Sequence, residues 1–153
     1  VWIKGLGSAT ASVNLVGREH FHGLAAAEEA ARQAYKMARI EPADVDVAEV
    51  HDCFTIAELM AYENLGFAKP GEGVELIRAK ETYKEGKIPV NVDGGLLSKG
   101  HPIGATGGSQ VRTVVLQLRG EAGPMQVKDA SIGLVHNIGG VGIYANVTIL
   151  GRE

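Results

Sequence analysis

Residues 24 to 38, LAAAEEAARQAYKMA, set apolar side chains at helical spacing among Ala, Glu, Arg and Gln, which predicts a helix. Pro42 bars its continuation. A second helical pattern runs through 109 to 120, SQVRTVVLQLRG, with Val111, Val114, Val115 and Leu118 as its apolar positions. Between the two, VDVAEV, 45 to 50, alternates apolar and polar residues as a strand does. TIAELMAYENL, 55 to 65, reads as a short helix with Thr55 as N-cap, Glu58 at capping-box spacing and Gly66 as its stop. Residues 1 to 12 suit a strand entering a loop, and ASIGLVHN and VGIYANVTIL, two β-rich runs around Gly139 and Gly140, predict a closing hairpin. Residues 67 to 89, with Gly71, Gly73, Gly86 and Pro89 among scattered charges, read as a long surface connection.

The order β, α, β, α, α, β, β predicts an α/β fold in one domain over 1 to 153. Its sheet is expected to be mixed, about five-stranded, mostly parallel with a C-terminal antiparallel hairpin, and covered by helices. Such sheets place ligands beyond the carboxyl ends of their parallel strands. His51 follows VAEV, His136 follows IGLV, and His101 precedes a predicted helix whose N-terminus carries partial positive charge. These three imidazoles and the thiol of Cys53 are expected to meet at one rim.

Composition narrows the chemistry. With 153 residues, 45% hydrophobic and 22% charged, the chain can bury a core and is not disordered. A net charge of -3 and a pI near 6.0 provide no basic field for nucleic acid. No apolar run approaches the roughly 20 residues of a membrane span, and the opening VWIKGLGSATAS lacks the plan of a signal peptide. A cytoplasmic location is expected, or a peroxisomal one in a eukaryote. Cys53 is the only cysteine, so neither an internal disulfide nor a Cys-rich zinc site is possible. His20 and His22, in REHFH, have no further ligand at metal spacing, and no metal is expected.

Three motifs carry candidate chemistry. In HDCF, 51 to 54, His51 could polarise a carbonyl and Cys53 exchange a proton, or the pair could be a satisfied polar residue beside a buried apolar cysteine. GGLLSKGHPIGATGG, 94 to 108, has neither Walker nor dinucleotide spacing. Its glycines, Gly100 and Gly104 among them, let backbone approach a ligand, while Pro102 stiffens the segment after His101. A histidine held this way is poised as base or hydrogen-bond donor. HNIGGVG, 136 to 142, is either a plain hairpin turn or an oxyanion hole built from His136 and the backbone N–H groups of Gly139 and Gly140.

Taken in order, HDCF, NVDGGLLSKGHPIGATG and HNIGGVG resemble the C-terminal half of a thiolase, and more closely that of the sterol-carrier-protein-X type and its archaeal and bacterial relatives. The resemblance covers essentially the whole chain, QLRGEAG at 117 to 123 included. It implies acyl transfer to coenzyme A or Claisen condensation of acyl-CoA thioesters, with the thioester as substrate and no permanently bound cofactor. In such enzymes a cysteine of the N-terminal half is acylated after activation by the GHP histidine, here His101. His51 takes the place of an asparagine that holds a water in the first oxyanion hole. His136 and Ile138 stand where other thiolases carry Cys-x-Gly, so Cys53 inherits the acid/base task. The resemblance further implies a partner N-terminal half, an oligomer, and no activity of this chain alone. Two other functions compete: a thiolase-like aldolase half acting on a β-hydroxyacyl thioester, and a noncatalytic scaffold that shapes a partner's pocket.

Overall fold

The computed structural model describes residues 1 to 18 and 21 to 152; His20 lies outside them. Strand β1 (Trp2–Thr10) leads through a short 3₁₀ turn to helix α1 (Ala25–Ala38), then to β2 (Val47–Glu49) and α2 (Thr55–Asn64). Two short helices, α3 (Gly73–Arg78) and α4 (Gly95–Lys99), precede α5 (Thr106–Arg119), and β3 (Ile132–Gly139) and β4 (Tyr144–Gly151) close the chain. Among the described residues no helix is long and apolar enough to cross a membrane.

The four strands lie in the order β1-β4-β3-β2. Here the architecture departs from the sequence expectation. Of its three pairings only β2 with β3 is parallel; β3–β4 and β1–β4 are antiparallel. The closing hairpin occupies the middle of the sheet rather than its edge, so antiparallel pairing dominates. A fifth position is reduced to one parallel bridge between Ala48 and Val90. Pro89 has no N–H to give, and Asn91 turns to φ 49, so the segment cannot continue as a strand.

Apolar alternation sorts the strands between two cores. Ala48, Val50, Leu134, Ala145, Val147 and Ile149 pack against α1 and α2, whereas Val47, Val135 and Leu150 pack against Val114 and Leu118 of α5. The sheet is thus sandwiched between helical layers. Helix α1 buries a stripe of alanines, Ala27, Ala30, Ala31 and Ala34, and sits so close to β1 that a Cβ on Gly7 would run into the Ala30 carbonyl.

Local expectations hold for α1, for the hairpin and for the α5 pattern, which begins three residues earlier than its apolar repeat suggested, at Thr106. The capping box of α2 does not form. Phe54 is the N-cap, no side chain caps the helix, and the Glu58 carboxylate instead accepts from the Tyr62 hydroxyl at 2.8 Å. One helical turn along, Tyr62 offers an O–H donor that competes with the backbone for that carboxylate. Residues 67 to 89 connect α2 to β2's flank without forming a strand, but they include α3 and bury Thr82 and Ile88.

The tight seam yields a stability contrast. Gly7→Ala is expected to lower unfolding free energy by about 1–3 kcal/mol, because α1 must shift as a unit. Gly108→Ala, whose Cβ would meet nothing within 4 Å, is expected to raise it by about 0.5–1 kcal/mol through helix propensity. Urea unfolding of the two variants measures both.

Candidate active site

Strand β2 ends at Glu49, and the chain then delivers His51, Asp52 and Cys53 past the sheet's carboxyl edge. The Val50 N–H donates to Asn91 Oδ1 at 2.8 Å, which anchors the end of β2 to the segment leading into the glycine-rich loop. Asp52, 2% exposed, makes the next link. Its carboxylate accepts from the N–H groups of Leu96 at 2.7 Å and Leu97 at 3.4 Å, at the start of α4. Gly95 lies against this carboxylate with φ +59, and a side chain there would collide with it.

The α4 helix ends at Gly100, φ +99, and the next residue is His101, exposed with Pro102, Ile103 and Gly104. Its Nδ1 stands 2.7 Å from Thr106 Oγ1, while the Thr106 hydroxyl itself donates to the Pro102 carbonyl at 3.1 Å. A hydroxyl has one proton to donate. With that proton on Pro102, Nδ1–H donates to Oγ1, and in the neutral imidazole Nε2 is then the acceptor. The arrangement presents a base.

His51 and His101 meet edge to face, ring centroids 4.9 Å apart and planes at 89°. Burial, reinforced by the charge of His101 and opposed by Asp52, holds the His51 imidazole below its ordinary range. His136 lies close enough to His51 to interact electrostatically, and its burial and that neighbour push its pKa down to about 3. It belongs to the α1 face of β3, between Leu134 and Ile138, and is 1% exposed. Thus it underlies the rim instead of lining it, since strand alternation turns its side chain into the core. Both of its ring nitrogens, and Nδ1 of His51, are buried without a hydrogen-bond partner. Unsatisfied buried donors and acceptors cost about 1–3 kcal/mol each.

Cys53 follows on the same turn, partly buried. Burial pushes its thiol above the ordinary value, against the pull of the Cys53 and Phe54 backbone N–H groups. The group is therefore a protonated thiol near neutral pH, suited to carrying a proton. Of the glycines expected at the site, Gly100 and Gly104 are exposed and a Cβ on either would meet nothing within 4 Å. Gly139 ends β3 and Gly140 begins the hairpin turn at φ +59; the atoms nearest them belong to Tyr144 and Ile143 of the same hairpin. Among the described residues no group of three or more His, Cys, Asp or Glu side chains could hold a metal.

Sequence reasoning passed over Asp52, Asn91 and Thr106. All three sit inside the quoted motifs, and Asp52 beside His51 and Thr106 one turn beyond His101 offered hydrogen-bonding side chains as the signal available.

Residues 7–152 match the family described as thiolase C-terminal domain-like. The chain is 47% identical over 152 residues to an acetyl-CoA acetyltransferase of Methanothermobacter thermautotrophicus, covering 99% of this chain and 40% of that protein. It is 46% identical over 127 residues to sterol carrier protein 2 of Oryctolagus cuniculus, covering 83% of this chain and 23% of that protein. A solved structure of an Ltp2-ChsH2(DUF35) aldolase superposes with a TM-score of 0.87 at 25% identity, over 98% of this chain and 39% of that one. The chain belongs to the thiolase C-terminal domain family, and it spans well under half the length of these relatives.

The depressed imidazoles predict an acid limb of stability. The unfolded chain binds a proton at His136 near its ordinary 6.5, the folded chain only near 3. Stability present above about pH 6.5 is therefore lost as pH falls, at up to about 1.4 kcal/mol per pH unit. Urea midpoints between pH 7 and 4 should fall less steeply in His136→Leu than in the parent chain; equal slopes would mean that His136 takes up its proton freely in the fold.

Proposed function

We propose that this chain is the C-terminal half of a cytoplasmic thiolase-type acyl-CoA acyltransferase. In this reading His101 is the base that activates a cysteine supplied by an N-terminal half, on the same or another chain. Cys53 moves the proton at the carbon next to the thioester, and His51 orients a water or carbonyl oxygen in the oxyanion hole. His136 supports His51 from below, and backbone N–H groups near Gly139 and Gly140 complete a second oxyanion site. Gly100 and Gly104 leave room for the thioester of coenzyme A, which is substrate and not resident cofactor. The observation that carries the reading is the setting of His101: its Nδ1 pairs with Thr106 Oγ1 at 2.7 Å on an exposed loop beside His51, which leaves Nε2 for the base's task.

Two further features support it. A protonated Cys53 can give and recover a proton, whereas a group that is covalently acylated cannot do so in the same step. Exposed Phe54, Ile56 and Ile103, at 70%, 59% and 87%, surround the site with apolar surface that a second half would cover. An aldolase half is the second reading, favoured by the likeness to the Ltp2-ChsH2(DUF35) aldolase. It needs no acylated cysteine, so the two readings separate on that intermediate.

The test assays this chain with acetoacetyl-CoA and coenzyme A, alone and combined with a thiolase N-terminal half. Turnover is expected only in the combination. In the combined enzyme His101→Ala should lower kcat by about 10²–10⁴-fold and slow acylation of the partner cysteine by a similar factor. Cys53→Ala should preserve that acylation, seen by intact mass, while suppressing carbon–carbon bond formation by a similar factor. Thr106→Val should cost about tenfold in kcat, and Thr106→Ser should restore it, since only the hydroxyl dictates the tautomer. Acylation of the chain at Cys53, or turnover by the chain alone, would make Cys53 the nucleophile and overturn the assignment.

A further inference from the structure

Beneath the loop that bears His101 lies a charged cluster that the proposed reaction does not use. Glu49, the last residue of β2, is 0% exposed. It shares the α5 side of the strand with Val47, whose neighbours there are Val114 and Leu118. The Lys99 ammonium stands 3.5 Å from its Oε2 and forms a close ion pair with Asp93. Asp93 also accepts from the Thr113 hydroxyl of α5 at 2.6 Å and from the Gly95 N–H at 3.0 Å. Neither oxygen of Glu49 makes a hydrogen bond. Lys99 is separated from His101 by Gly100 alone, and Glu49 from His51 by Val50 alone.

We infer that Glu49, Asp93 and Lys99 form a clamp, buried at Glu49 and reaching solvent at Lys99, that sets the His101 loop against the strand carrying His51, and that they are positioning residues for the site. Two observations argue for positioning over plain stability. A well-packed aliphatic side chain at Glu49 would avoid the desolvation of a carboxyl that ends up without a hydrogen bond, and such replacements are commonly neutral or stabilising. The three members also sit on three separate pieces, the end of β2, the entry to α4 and its last residue, and Thr113 ties them to α5. Residues 93 to 101 contain only the five-residue α4, too short to hold itself. Asp52 secures its first turn, and the clamp secures its last.

Charge balance follows from the same geometry. Two carboxyls face one ammonium, so the cluster is neutral when one carboxyl keeps its proton. Burial raises the Glu49 carboxyl, and Asp93 raises it further, to about 9, against the pull of Lys99. Burial alone would raise Asp93 as well, but hydrogen bonds from Lys99, Thr113 and Gly95 hold it below the ordinary carboxylate range. Glu49 is the protonated member and Asp93 the ionised one.

The experiment rests on the acyltransferase reading for one readout and is independent of it for two. In this chain, amide exchange at Leu96 and Leu97 and the imidazole NMR signal of the His101 Nδ1–H are recorded for Lys99→Met, Glu49→Leu and Glu49→Gln. Lys99→Met and Glu49→Leu should speed exchange at Leu96 and Leu97 at least tenfold and broaden or lose the Nδ1–H signal, while Val147 and Ile149 stay protected. Glu49→Gln, isosteric with the protonated carboxyl, should match the parent chain. In the two-half enzyme the same two disruptive variants should lower kcat at least tenfold with KM for acetoacetyl-CoA within about twofold. Unchanged exchange at Leu96 and Leu97 overturns the clamp, as does equal loss of protection across loop and sheet, which would make the cluster a contributor to stability alone. Loosening by Glu49→Gln as great as by Glu49→Leu overturns it too, since the charge assignment fails. If exchange responds as expected while His101→Ala leaves turnover intact, the clamp stands and the catalytic reading falls.

Discussion

The Asp52 carboxylate, held against the N–H groups of Leu96 and Leu97, is the contact on which the candidate site depends. It joins two chain segments more than forty residues apart, the turn after β2 and the glycine-rich loop. A helix as short as α4 does not persist on its own hydrogen bonds, so its position is imposed from outside. Because Gly95 allows no side chain between itself and the carboxylate, the loop is drawn down onto HDCF. His101 then emerges against His51, ring edge to ring face. Hydrogen bonds donated by backbone N–H groups to a buried carboxylate are among the stronger such contacts, and here they do what a longer element would otherwise do.

Protonation follows from where each group sits. On the α1 side of the sheet, His136 is fully enclosed and stays neutral, and on the same edge His51 is pushed the same way. Positive charge is thereby disfavoured on these two imidazoles, and burial of the Cys53 thiol disfavours negative charge beside them. On the α5 side, Asp93 and the partly exposed Lys99 cap the buried Glu49 carboxyl. Strand β2 is the element common to both, carrying Glu49 toward α5 and leading to His51 beyond its end. The site's chemistry and the anchoring of its loop are thereby separated by one sheet and joined by one strand.

The exposed flank around Phe54, Ile56 and Ile103 gives this arrangement a direction. The groups that would move protons are backed by a dense core, while the surface in front of them is apolar. Family membership and the fraction of its relatives' length that the chain spans agree with a site completed by further protein.

Much of this was legible in the residues. Helices α1 and α5 and the closing hairpin follow from periodicities that repeat within about ten residues, and such patterns need no knowledge of distant partners. The motifs around His51, His101 and His136 stood out because their residue types and spacing are themselves distinctive, and the structure brings the His51 and His101 rings together. Strand order was not legible: nothing local in YANVTIL tells that β4 lies between β1 and β3, so the sheet turned out four-stranded and largely antiparallel. Glu49 reads in VDVAEV like an ordinary solvent-facing position, and only the packing of α5 and the 93 to 99 segment makes it buried. Thr55 and Glu58 have the right spacing for a cap, yet Tyr62 claims the carboxylate. Residue identity and local period set which elements form and which side chains could react. Burial, pKa and the Asp52 contact arise between segments far apart in the chain, and only the tertiary structure decides them.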